Sequence, residues 1–192
     1  ALLDIGVPSY CENIINGDEE VDESIDQLAK FCLTQDFLLA DQLFEPLFIS
    51  SIIELIKNQE SLSLNLIILI RNMWGQSIEN IDILFNDDLV SSFCQYLYAL
   101  PEIRDFVYES FDFLLQKVSN DANQQIMNIL MDFSIIDSLD EYFEFLETVD
   151  YSLFDPARLQ GMVKRTINFV HSLAFNPFFN HDFLMNIISY SL

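Results

Sequence analysis

The sequence predicts an all-α fold, a solenoid of about four stacked helical repeats, and three observations predict it. Turn residues are scarce: the 192 residues include only four Gly and five Pro. That is too few for the tight turns of a β-sandwich or the glycine-rich loops of a phosphate-binding α/β enzyme. Apolar residues recur at helical spacing along most of the chain. Short apolar groups (Ile5-Gly6-Val7, Leu43-Phe44, Leu84-Phe85, Ile135-Ile136 and Phe178-Phe179) each precede a fresh amphipathic run, at intervals of about forty to fifty residues. A unit of that kind cannot bury its own apolar face, so such units stack and present a long surface to a partner.

The elements follow in order. Val7-Pro8 with Tyr10, Ile14 and Ile15 predicts a short helix stopped at Asn16-Gly17. Asp18, Glu19 and Glu20 supply acids to the start of a second helix, Val21 to Leu33, which buries Val21, Ile25, Leu28 and Cys32. A short segment from Asp36 to Phe44 leads to Pro46, which suits a first helical turn, and Leu47, Ile49, Ile52, Ile53 and Ile56 carry that helix to Asn58. The next helix, Ser61 to Trp74, is apolar almost all round, which implies packing on several sides; Gly75 closes it.

The cadence then returns, with a short segment from Ile78 to Phe85, a helix from Leu89 to Leu100, and a long helix opened by Pro101. Ile103, Val107, Phe111, Leu114, Leu115 and Val118 form the buried stripe of that helix, and Ser119-Asn120-Asp121 breaks it. Asn123 to Phe133 and Asp137 to Thr148 are two further helices. After Asp155-Pro156 a helix runs from Arg158 to Phe175, is stopped by Asn176-Pro177, and is followed by another from Phe183 to Leu192. The approximate repeats are 1–35, 36–76, 77–120, 121–176 and a partial one at 177–192, within a single domain 1–192. Both ends read as interrupted repeats without polar caps, so the chain is expected to be a fragment of a longer array. The opening Ala1 in place of Met fits a processed or excised segment.

Composition narrows the function classes. Thirty-one acids face eight Lys and Arg, for a formal charge of −23. Such a chain repels nucleic acid and anionic membranes and attracts basic proteins or peptides. Mean hydropathy is +0.25, but the longest strongly apolar run, Leu62 to Ile70, is interrupted by Ser63 and Asn65 and is too short to span a bilayer. No signal peptide is visible. Cys11, Cys32 and Cys94 are odd in number and widely spaced, which argues against a disulfide framework and for a reducing, intracellular setting, cytoplasmic or nuclear.

Leu43-Phe44 ahead of Leu47 and Ile53, then Leu64, Ile67, Leu69, Asn72 and Gly75, resembles one full armadillo unit of short, medium and long helix. The resemblance covers most of the chain, most clearly residues 36 to 118. It implies a right-handed α–α superhelix. It also implies a concave groove along the third helix of each repeat, where the nuclear-import adaptors of this class hold basic peptides. Those adaptors carry Trp and Asn four residues apart on successive third helices. Here Asn72 stands at the Asn position but Ile68 replaces the Trp. The other corresponding pairs are Asp26 with Lys30, Asp112 with Gln116, and Ile167 with His171, so the Trp–Asn ladder is absent.

The expected groove residues are Asp22 and Asp26, then Asn65 and Asn72, then Tyr108, Asp112 and Gln116, then Asn168 and His171 beside Lys164. A row of such side chains pairs with a peptide's backbone and its basic groups. The blander reading of each is the solvated side of an amphipathic helix. Asp18, Glu19, Glu20, Asp22, Glu23 and Asp26 are the densest acidic cluster, without the spacing or central Gly of a calcium loop. Arg158, Lys164 and Arg165 are the only basic concentration. His171 and His181 have no matching ligands for zinc, and no nucleophile elbow, Walker loop or dinucleotide fingerprint is present. The expectation is a non-catalytic protein-binding scaffold without cofactors that takes an extended, basic segment. The alternative is a HEAT-type structural or regulatory subunit that binds a folded partner through apolar surface.

Overall fold

A computed structural model of the chain describes residues 6–17, 19–34, 43, 45–58, 63–75 and 86–179. Among them the structure is all helical: nine α-helices, two 3-10 helices and no strand. The apolar groups at 5, 44 and 85, the segments 36–42 and 78–85, and the last helix, 183–192, lie wholly or partly outside the described residues. The chain forms two compact units, Ala1–Phe93 and Cys94–Leu192. The boundary falls inside the third expected repeat, 77–120.

The first unit holds α1 (Gly6–Asn16), α2 (Val21–Thr34), α3 (Pro46–Asn58), α4 (Leu64–Gly75) and α5 (Asp87–Phe93). Gly17 ends α1 at φ +68°, where its N–H reaches the Ile14 carbonyl at 3.3 Å. A side chain there would be strained, which is why Gly stops this helix cleanly. Asp22 and Glu23 sit in the first turn of α2 and complement its dipole. That helix buries Ile25, Leu28, Ala29 and Cys32, a stripe at helical spacing, against α4.

The apolar α4 is buried over most of its circumference, through Leu66, Ile67, Leu69, Ile70, Met73 and Trp74. Each such side chain contributes about 1.5–3 kcal/mol relative to exposure. Its Asn72 donates from Nδ2 to the Ala29 carbonyl at 2.8 Å, tying α4 to α2. Helix α1 packs on α2 and α3, and α3 packs on α5. The Trp74 ring meets Phe93 edge-on, centroids 5.1 Å apart.

The second unit opens with a 3-10 helix, Cys94–Tyr98, followed by α6 (Pro101–Lys117), α7 (Asn120–Asp132) and α8 (Ile135–Thr148). A second 3-10 turn, Tyr151–Leu153, precedes α9 (Pro156–Ala174). The single helix expected over 89–100 is therefore α-helical only to Phe93. Carbonyls at the end of this stretch are held by side chains of the same unit. Leu97 O accepts the Ser138 hydroxyl at 2.5 Å, and Ala99 O accepts Arg104 Nε at 3.0 Å and Nη2 at 2.8 Å. Leu100, just before Pro101, is held extended at ψ 132°. Helix α6 packs on α9, on α8 and on the 3-10 segment. No described helix is long and apolar enough to cross a membrane.

Candidate functional site

The surface feature that stands out lies on α9. Asp155 caps this helix by accepting the Arg158 N–H at 3.1 Å, and Pro156 occupies its first turn. At the other end the Phe175 N–H reaches the His171 and Leu173 carbonyls. One face of α9 is core: Met162, Thr166, Phe169 and Leu173 are buried. Phe169 stacks on Tyr108 of α6, with centroids 5.3 Å apart and rings 7° from parallel.

A second side of α9 is clamped by charge. Asp105 of α6 is fully buried and accepts Arg158 through Nη1 at 2.7 Å and Nη2 at 2.6 Å, and Arg165 through Nε at 2.6 Å. Both guanidinium groups also lie over the Phe106 ring, at 4.6 and 4.5 Å. The Arg165 guanidinium lies close over Gly161. A Cβ there would stand 2.9 Å from Arg165 Nη2.

The third side faces solvent. Pro156, Leu159, Gln160, Val163, Lys164, Ile167 and Asn168 line an open concavity of about 560 Å³. Val163 is 38% exposed and Ile167 59%, so two β-branched apolar side chains present part of their surface to solvent. Phe175 beyond them is 74% exposed. Scattered exposed apolar residues are ordinary; here two of them follow one another a turn apart on one helix.

The nine groove residues expected from the sequence divide into two groups. Asn72, Tyr108 and Asp112 are buried. Asn72 is bound to Ala29, as described. The Tyr108 hydroxyl donates to the Ser138 carbonyl at 2.9 Å. Asp112 accepts Gln116 Nε2 at 2.8 Å and the Ser172 hydroxyl. These three face neighbouring helices and do not line an open groove, because each closes a polar contact within its own unit. Asp22, Asn65, Gln116, Asn168 and His171 are exposed, and Asp26 is half-buried and pairs with Lys30 at 2.5 Å. Only Asn168 lines the α9 concavity. His171, one turn on, has its ring 4.5 Å from that of Phe175.

The sequence reading named Lys164, Asn168 and His171 on this helix and did not set Pro156, Leu159, Gln160 and Val163 apart as a surface. A signal was present. Apolar residues at 159, 163 and 167 form a row offset from the core row at 162, 169 and 173, so the helix is apolar on two sides.

Burial, helped by Glu45 and Glu12, pushes the Cys11 thiol up to about 12, and burial does the same at Cys94. At Cys32 burial and the nearby Cys11 have the same effect. Thiols held neutral in this way are poor nucleophiles. No described cluster of His, Cys, Asp and Glu is arranged to hold a metal ion. No family model, curated protein or solved structure matches this chain.

Proposed function

We propose that this chain is a non-catalytic, intracellular protein-binding scaffold, an armadillo-like stack of helical repeats whose contact surface is the outer face of α9. The observation that carries the reading is the exposure of Val163 and Ile167 along an open concavity, on a helix whose other sides are already buried and charge-clamped. A repeated architecture is supported by elements that pack on counterparts about forty residues further on: α1 on α3, α2 on α4, α3 on α5, and the 3-10 segment on α8. The apolar-surface form of the scaffold gains support over the polar groove, because Asn72, Tyr108 and Asp112 are turned inward.

A basic partner is a second reading, favoured by a different surface. Asp137, Asp140, Glu144 and Glu147 form an exposed acidic ridge on α8. Burial and repulsion from Asp137 and Glu144 push the Asp140 carboxyl above its usual range. A cationic segment would relieve that repulsion.

Calorimetric titration with a designed amphipathic peptide carrying a leucine stripe separates the two. Val163→Asp with Ile167→Asp should weaken binding roughly tenfold or more, since a charge would enter the apolar contact. Asp140→Asn with Glu144→Gln should leave it unchanged. If the second pair and not the first removes binding, the α9 face is not the contact surface.

A further inference from the structure

We infer that the occupant of the α9 face is an amphipathic α-helix whose apolar stripe is bordered by carboxylates, and that Lys164 selects that border. The inference rests on the reading of this face as the contact surface and adds to it the partner's chemistry.

The shape of the face selects a helix over an extended segment. The peptide groups of α9 are engaged in its own hydrogen bonds. The side-chain polar groups along the concavity are Gln160, Lys164 and Asn168, one row at i, i+4 and i+8. An extended peptide would lay unpaired N–H and C=O groups against Leu159, Val163 and Ile167, at a cost per buried group of about 1–3 kcal/mol. A helix arrives with its backbone already paired. The row from Pro156 to Asn168 covers about 18 Å at 1.5 Å per residue, or three to four turns of a partner helix. Rows at i, i+4 spacing of this kind are those along which two helices pack.

Charge selects the flanks. The chain has 31 Asp and Glu, yet none falls between Asp155 and Asp182. Within α9 the cations Arg158 and Arg165 are paired with the buried Asp105 and, for Arg165, with Glu109 as well. Lys164 is exposed at the edge of the concavity and pairs with no carboxylate among the described residues. A partner carboxylate opposite Lys164 gains a cation there, while a partner lysine meets its like. The −23 charge of the chain repels an acidic partner at long range, but salt screens that term beyond a Debye length of about 8 Å at physiological ionic strength. The short Lys164 contact survives. Affinity for the acidic helix therefore holds or rises with added salt, opposite to a purely steered basic ligand.

The test uses two synthetic helical peptides with the same leucine stripe, one flanked by Glu and one by Lys. Each is titrated into the full chain at low and at physiological salt. At physiological salt the Glu-flanked peptide should bind roughly two- to fivefold tighter, the range of one exposed ion pair. Lys164→Glu should reverse that preference, while circular dichroism stays unchanged. If Lys164→Glu leaves the preference as it was and Val163→Asp abolishes both titrations, the face binds but does not read charge, and this inference alone falls. If Val163→Asp affects neither peptide, the contact-surface reading falls with it. Sedimentation that shows a dimer broken by Val163→Asp would make a second copy the occupant, and binding that requires removal of residues 180–192 would make that segment the occupant. Either overturns the proposal.

Discussion

The two compact units bring their helices together by different means. In the first, α2 and α4 meet through aliphatic side chains, with the Asn72 amide bridging to the Ala29 carbonyl. In the second, α6 and α9 meet around Asp105, which accepts two guanidinium groups, with Asp112 held to Ser172 on the same pair of helices. The difference shows what a large negative charge conceals. Two of the acids of α6 are interior groups that orient α9, so α9 is fixed with its arginines inward and an apolar row outward. The acids of α6 and the open apolar face of α9 are connected through that clamp.

The sharpest way to break the comparison is Asp105→Ala. It leaves Arg158 without its carboxylate and Arg165 with only Glu109, at 3.9 Å, and the loss of a buried partner of this kind costs about 3 kcal/mol or more. Denaturant unfolding followed by circular dichroism should show it. A change within experimental scatter would mean that the clamp does not hold α9.

Asn72→Ala should cost less, about 1–3 kcal/mol, for the buried hydrogen bond it removes. Trp74, the chain's only Trp, is buried two residues away and reports this locally by fluorescence. An equal or larger loss than for Asp105→Ala would reverse the contrast between the units.

The smallest effect at neutral pH comes from the thiols. With native values raised from 9 to about 12, Cys11, Cys32 and Cys94 remain protonated in the folded chain while the unfolded chain ionises. The unfolded state then binds fewer protons, so stability is full below pH 9 and falls as pH rises from about 9 toward 12. Thiol-reagent labelling at neutral pH should require unfolding. Rapid labelling of the native chain would contradict the burial.

Much of the helical framework is legible in the sequence because its stops are local. Gly17, Pro46, Pro101 and Asp155-Pro156 mark boundaries by their own backbone chemistry, and the observed helices begin or end there. The 3-10 segment at Cys94–Tyr98 was not legible, since no local stop residue marks the tightening by which Tyr96 O accepts the Ala99 N–H at 3.0 Å. Burial of polar residues was legible least. Asn72, Tyr108 and Asp112 look like solvated groove positions by periodicity, and only partners 30 to 60 residues away turn them inward. The α9 face was half legible: Lys164 and Asn168 stood out as polar, while the second apolar row at 159, 163 and 167 was not separated from the core row.

The most direct test of the central claim, that the outer face of α9 is a contact surface, is amide chemical-shift mapping of the labelled chain during titration with the Glu-flanked leucine-stripe peptide. The account predicts shifts concentrated at Leu159, Gln160, Val163, Lys164, Ile167 and Asn168, with α2 and α4 unmoved. Shifts concentrated on Asp22, Asp26 and Asn65, or on the α8 ridge, with α9 unmoved, would contradict it.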